Sequence, residues 1–127
     1  MPELLEGKTG LVVGVANKRS IAWAIARRLG EAGARLVLTY QGERTEGDVR
    51  KLAATLTTPP AAILPLDVQD DAQTAETVAA AGEALGGIDV LVHAVAFARP
   101  EDLGGRFIDT DREGFHLALD ISAYSLA

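Results

Sequence analysis

Leu11-Val12-Val13-Gly14-Val15-Ala16-Asn17-Lys18-Arg19-Ser20-Ile21-Ala22 is the stretch on which the reading of the fold turns. Its first five residues form a continuous apolar run ended by polar ones, the pattern of a strand buried on both faces. Ile21, Ile25 and Leu29 then recur at helical spacing, and Gly30 and Gly33 end that element. Gly14 can supply a tight turn, and Ser20 stands where an N-cap belongs, its hydroxyl or amide within reach of an anion at the helix N-terminus. Lys18 and Arg19 add positive charge nearby. The turn lacks the Gly-x-Gly-x-x-Gly spacing usual in dinucleotide loops. An ordinary strand-to-helix turn with a serine cap accounts for the same residues.

Outward from this unit the alternation continues. Residues 35–40 read as a second strand, and Val49, Leu52, Ala53 and Leu56 mark one face of a second helix closed by Pro59-Pro60. A third strand follows at 62–66, where Pro65 suits an edge position better than a central one. Ala75, Val78, Ala79 and Leu85 outline a third helix stopped by Gly86-Gly87, and residues 88–96 form the fourth and most apolar strand. A polar loop over roughly 99–111 leads to a helix that starts near Arg112 and is still running at Ala127. Strands alternating with helices of this length imply an α/β fold, a Rossmann-type doubly wound parallel sheet. The expected strand order is three-two-one-four, with residues 90–96 on an exposed edge. Ligands of such sheets sit at the carboxyl ends of the strands.

Bulk properties narrow the classes. With 127 residues, 48% of them hydrophobic, the chain can build one core. Its formal charge of -6 argues against nucleic acid, whose phosphates require a basic surface. Without cysteine, neither disulfides nor thiolate chemistry is available. No metal site is expected. The first residues lack the apolar stretch of a signal peptide, and no run is long enough for a membrane span, so a cytoplasmic location is expected.

Residues 14–26 are similar to the elongated cofactor loop of the enoyl-acyl-carrier-protein reductases, divergent members of the short-chain dehydrogenase/reductase superfamily. Leu-Thr-Tyr-Gln-Gly-Glu at 38–43, Leu-Asp-Val at 66–68, Val-His-Ala-Val-Ala-Phe-Ala at 92–98 and Asp-Ile-Ser-Ala-Tyr-Ser at 120–125 match the same family in order and in register. The resemblance implies that the chain, residues 1–127, is the N-terminal dinucleotide-binding portion of a single-domain reductase. The sheet would then be truncated after its fourth strand and the start of the next helix. It further implies that NADH reduces the trans-2 double bond of an enoyl thioester on acyl carrier protein in fatty-acid biosynthesis, in a homotetramer. Gly14, Ser20, Ile21, Gln41, Asp67, Val68 and Val95 would hold the cofactor NAD, and Ala98 would touch the substrate. Asp67 and Val68 would bracket the adenine, although Asp67 could equally cap the following helix. Ala96 departs from the glycine that many members carry. Tyr40-Gln41 replaces the usual ribose-binding acid, Glu43 is the nearest one, and Arg44 could meet a 2′-phosphate; the balance favours NADH. His93, inside an apolar strand, reads as a structural histidine.

The superfamily's proton donor is a tyrosine partnered by a lysine. In the enoyl reductases six residues separate the two, in a segment downstream of this chain. Neither Tyr40 nor Tyr124 is followed by a lysine at that interval, so no catalytic residue is assigned within the chain. Two other readings stand beside the first. One is a ketoreductase of the same superfamily, whose first loop is richer in glycine and whose fourth strand usually ends in Asn-Asn-Ala-Gly. The other is a nucleotide-binding or interaction module without catalysis.

Overall fold

Thr9–Val13 (β1) lies between Arg35–Tyr40 (β2) and Val90–His93 (β4), and Ala62–Pro65 (β3) completes a four-stranded parallel sheet of order β3-β2-β1-β4. This computed structural model describes residues 3–127. The chain divides into two compact units, one ending at Ala94 and the other spanning Val95–Ala127.

In the first unit, β1 and β2 form the buried centre: Val12, Val37 and Leu38 are fully enclosed. The register of β4 is set at its entry by two side chains. The Asp89 carboxylate accepts the Thr9 N–H at 2.9 Å, while the Thr9 hydroxyl donates to the Gly87 carbonyl at 2.7 Å. Gly10 then pairs with Val90, and Val13 with His93. The strand order and both edges agree with expectation: β3 carries Pro65 at one edge, and β4 forms the other with Leu91 54% exposed.

The element boundaries depart from the sequence reading in ways the packing explains. β1 begins and ends two residues before the apolar run, because Gly14 turns the chain with φ +112° and Val15 is buried in the turn. β4 covers 90–93 instead of 88–96, since among the described residues it pairs with β1 alone, which turns away at Gly14. Ile21–Glu31 (α1) runs through Gly30. Its sheet-facing residues are Ala22, Trp23 and Ala26, whereas Ile21 is 74% exposed. The small alanines let the helix lie close to the sheet, and this close approach outweighs burial of the larger isoleucines. Glu43–Ala53 (α2) buries Val49 and Ala53 as expected but ends before Leu56, which with Leu52 packs partly against the same core. Asp71–Leu85 (α3) buries Leu85 as expected but otherwise turns a different face inward: Thr77 and Ala81 are buried, and Ala75, Val78 and Ala79 are exposed. Thr77 can be buried because its hydroxyl donates to the Pro65 carbonyl at 2.9 Å. Gly86 ends α3 in the left-handed conformation, as the Gly-Gly stop implies.

The second unit contains Arg112–Ser122 (α4) and three single turns of 3₁₀ helix, Pro100–Asp102, Phe107–Asp109 and Tyr124–Leu126. The polar loop is therefore partly helical. The expected continuation of α4 to Ala127 fails, as the backbone breaks at Ala123. Asp111 caps α4 by accepting the Gly114 N–H at 2.5 Å. Arg99 ties the first turn to this cap. Its guanidinium grips Asp102 through two bonds of 2.7 and 3.0 Å and reaches both oxygens of Asp111 at 3.1 Å. Gly114 lies under this cluster, where any Cβ would run into Asp102 and Arg99.

The hydrogen bonds from Arg99 hold the Asp102 carboxyl below the usual carboxylate range. A depressed folded value means that the stabilisation is complete above the ordinary aspartate pKa near ~3.9 and is lost as pH falls through the lower folded value. The melting-temperature gap between wild type and Asp102→Asn should therefore be constant from neutral pH to about pH 4 and shrink below it. A gap that persists unchanged at pH 2 would remove the ion pair as its source.

Candidate dinucleotide site

Because β1, β2 and β3 are adjacent and parallel, the residues that follow them lie along one end of the sheet. Gly14 follows β1, Gln41 follows β2, and Asp67 and Val68 come shortly after β3. This is where doubly wound sheets bind ligands.

Gly14 is confined to glycine twice over. Its φ of +112° disfavours any side chain, and a Cβ there would meet the carbonyl of Ala94. That carbonyl cannot easily retreat, since the Ala94 N–H is bonded to Val13 O at 3.0 Å. The loop beyond is closed by its own polar groups. Asn17 Oδ1 accepts the Arg19 N–H at 2.8 Å, and its backbone carbonyl accepts the Ser20 N–H at 3.1 Å.

Ser20 occupies the N-cap position with extended backbone, but its side chain does not cap α1. The hydroxyl turns back into the loop, donating to Asn17 O at 2.7 Å and accepting the Ala16 N–H at 3.4 Å. The expectation of a serine cap is thus corrected: the Asn17 carbonyl offers the hydroxyl a nearer partner than the next turn. As a result, the first turn of α1 has no side-chain cap and no acidic residue, with Lys18 and Arg19 exposed beside it. That leaves its amides and positive end available to an anion. Ile21 opens the helix and lines an open groove of about 620 Å³ with Lys18, Arg19 and Ser20.

At the ends of β2 and β3, Gln41 and Asp67 line one cleft of about 450 Å³ together with Tyr40, Glu43, Glu46 and Gln73. Asp67 is held in place through its neighbours: its N–H donates to Gln73 Oε1, and its Oδ1 accepts the Gln69 N–H at 3.0 Å. Asp67 does not cap α3. Asp70 does, accepting the Gln73 N–H at 2.9 Å. Asp70 and Gln73 have the spacing of a capping box, a signal of this helix start carried by the sequence. Val68 is half-buried next to Asp67, and Arg44 is exposed on the first turn of α2. His93 is half-buried in β4 opposite Val13.

Val95 and Ala98 belong to the second unit, where both are half-buried. Between them the Phe97 N–H donates to Ser122 Oγ at 3.1 Å, and the same hydroxyl lies 3.4 Å from the Phe97 carbonyl. The described residues include no cluster of His, Asp or Glu able to hold a metal, and no helix long and apolar enough to cross a membrane.

Residues 14–127 match the family model described as enoyl-(acyl carrier protein) reductase. The NADH-named enoyl-[acyl-carrier-protein] reductase FabI of Bacillus cereus is 51% identical over 124 residues, which are 98% of this chain and 48% of that protein. An NADPH-named FabI from Staphylococcus aureus is 48% identical over 122 residues, 96% of this chain and 48% of its own length. Among solved structures, the Bacillus cereus reductase with NADP+ and an indole naphthyridinone superposes with a TM-score of 0.93 at 51% identity, covering 98% of this chain and 48% of that one. The chain thus spans about half the length of the relatives it matches. On the family match and on these identities, it belongs to the enoyl-(acyl carrier protein) reductase family.

Proposed function

We propose that this chain is the nucleotide-binding portion of an enzyme that reduces the trans-2 double bond of an enoyl thioester on acyl carrier protein. The observation that carries this reading is the row of Gly14, Gln41 and Asp67 behind three adjacent parallel strands, in a chain of this family. The residues present suit a nicotinamide dinucleotide, which when bound supplies the hydride. Gly14 and the uncapped, acid-free first turn of α1 would receive the pyrophosphate, with Ser20 and Ile21 at its edge. Gln41 would meet the adenosine ribose, and Asp67 with Val68 the adenine. Val95 would line the nicotinamide side and Ala98 the acyl chain. Protonation of the reduced thioester falls to a tyrosine outside these residues. A homotetramer in the cytoplasm completes the proposal, the tetramer supported by the exposed apolar side chains of Phe115, Leu119 and Leu126. The ketoreductase alternative is disfavoured by the family match.

The test is turnover by the full-length protein. Oxidation of NADH with a crotonyl thioester, and none with an acetoacetyl thioester, is the expected result. The reverse selectivity would establish the ketoreductase, and binding of NADH without either turnover would establish the non-catalytic module.

NADH should be preferred to NADPH. Glu43 and Glu46 border the cleft that holds Gln41 and Asp67, so a 2′-phosphate entering it would meet three carboxylates. Arg44 is the counterweight, and Arg50 is already engaged by Glu46 at 2.9 Å. Equal or faster turnover with NADPH would reverse the assignment and point to Arg44.

Ser20→Ala should weaken NADH binding by about 1 kcal/mol, roughly fivefold, because the loop loses one net hydrogen bond and its closure. The cause differs from loss of a helix cap, and circular dichroism should show α1 intact. An unchanged dissociation constant in a fluorescence titration would take Ser20 out of the site.

A further inference from the structure

Residues 95–98 are the part of the second unit that the proposed function sets against cofactor and substrate, and two side chains govern where they lie. The Ser122 hydroxyl faces both polar groups of Phe97, accepting from its N–H at 3.1 Å and lying 3.4 Å from its carbonyl. Those two residues are 25 apart in sequence, and Ser122 is the last residue of α4, so the bond spans the unit rather than closing a local turn. Immediately beyond Ala98, Arg99 is fixed to the other end of the same helix. Its side chain is 25% exposed and grips Asp102, which is 13% exposed, and it also reaches Asp111, the cap of α4. The absence of a side chain at Gly114 is what admits this guanidinium–carboxylate cluster. α4 therefore holds the segment at two points, Phe97 from its C-terminal end and Arg99 from its N-terminal end.

We infer that Ser122 and Arg99 are positioning residues for the enoyl thioester, acting through the backbone of residues 95–98 without touching the substrate. The inference rests on the placement of Val95 and Ala98 in the proposed function. A strap fixed at both ends presents its carbonyls and small side chains in one geometry, and displacement by a fraction of an ångström is enough to change the fit of a bound thioester. Phe97 itself is 47% exposed, so packing of its ring does not hold the strap, and the polar anchors must.

The experiment compares steady-state kinetics of the full-length wild type with Ser122→Ala, Ser122→Thr, Arg99→Lys and Asp102→Asn. Ser122→Ala and Arg99→Lys should each raise KM for crotonyl thioester by about five- to tenfold and raise KM for NADH by about twofold or less, because Val95 is one of seven residues proposed for the cofactor and the other six lie outside the strap. Lysine keeps the charge but cannot make the two-bonded grip on Asp102. Ser122→Thr, which retains the hydroxyl, should restore the thioester KM, and Asp102→Asn should reproduce the Arg99 defect. A structural role alone would lower the melting temperature and the active fraction with both KM values unchanged; that result overturns the inference while wild-type turnover keeps the functional reading intact. If wild type itself fails to reduce the thioester, the functional reading falls and the inference with it. Should Ser122→Ala not fold, Ser122→Thr against Arg99→Lys decides the matter on the same split.

Discussion

Gly14→Val in the full-length protein should abolish measurable NADH binding and lower the melting temperature by about 10 °C. Two costs combine. A β-branched residue held at a φ of +112° carries strain of about 1–3 kcal/mol. Its Cβ also meets the carbonyl oxygen of Ala94, so either the turn or the end of β4 must move. Neither moves freely: Val13 and Ala94 are joined by a ladder bond of 3.0 Å, and Val12, Val13 and Val15 are all buried around the turn. A total of about 3 kcal/mol or more is expected, which for a protein of some 250 residues shifts the melting temperature by the stated amount. Displacing this turn also displaces the amides of the α1 N-terminus that the pyrophosphate would meet, so binding should fail even in the fraction that folds. Gly14→Ala should already show most of the loss, since its Cβ carries both the positive-φ strain and the collision, and valine adds only the branch. Calorimetry and a fluorescence titration with NADH read both quantities. A folded Gly14→Val protein that binds NADH normally would show that the pyrophosphate lies elsewhere.

How much of this was legible in the sequence depends on what kind of information each feature carries. The apolar runs and their spacing carry topology, and the strand order with both edges follows from them, Pro65 included. β2 is predicted to the residue, because Arg35 and Gln41 bound it sharply and its buried residues run without interruption. The helix faces were less legible. In α1 and α3 two of the larger apolar residues, Ile21 and Val78, point outward, and small residues, Ala22, Ala26, Thr77 and Ala81, are buried beside Trp23 and Leu85. Periodicity weighted by hydrophobicity favours large residues, whereas close helix-on-sheet packing selects small ones. At the site, Gly14, Gln41 and Asp67 are proposed from the resemblance, and the strand order sets them behind adjacent parallel strands. The bonding within the loop was not: Ser20 could accept an N–H of the helix ahead or turn back to accept from Ala16 and donate to the Asn17 carbonyl, and the local backbone decides between them. The Arg99 cluster was invisible for a similar reason, since Arg99, Asp102 and Asp111 read as solvated loop charges until the fold brings them together over Gly114.

The 127-residue chain by itself should show no enoyl thioester reduction and should self-associate. Its lysines are Lys8, Lys18 and Lys51 and its tyrosines Tyr40 and Tyr124, and none of these pairs has the interval that the family's proton donor and ribose anchor require. Tyr40, 9% exposed, borders the cleft proposed for the adenosine and not the place proposed for the nicotinamide, which removes it further from any role as the acid. Without a proton donor, the reaction loses a contribution of about 10²–10⁴-fold, and more if the lysine also orients the ribose. The sheet gives the second half of the expectation. β4 is an edge with one paired side, and Leu91 projects from it half-exposed, while Val90 and Val92 are only partly covered. An unpaired apolar edge of this kind recruits another strand, in the simplest case the same edge of a second copy. Sedimentation of the isolated chain should therefore show dimers or larger species, and Leu91→Lys should shift them toward monomer by placing a charge on the edge while leaving the β1 pairing intact. The full-length protein carrying Leu91→Lys should instead be destabilised, because there the edge would be covered by the following strand of the doubly wound sheet. A monomeric, catalytically active 127-residue chain would overturn both halves at once: the proton donor would lie within it, and β4 would need no neighbour.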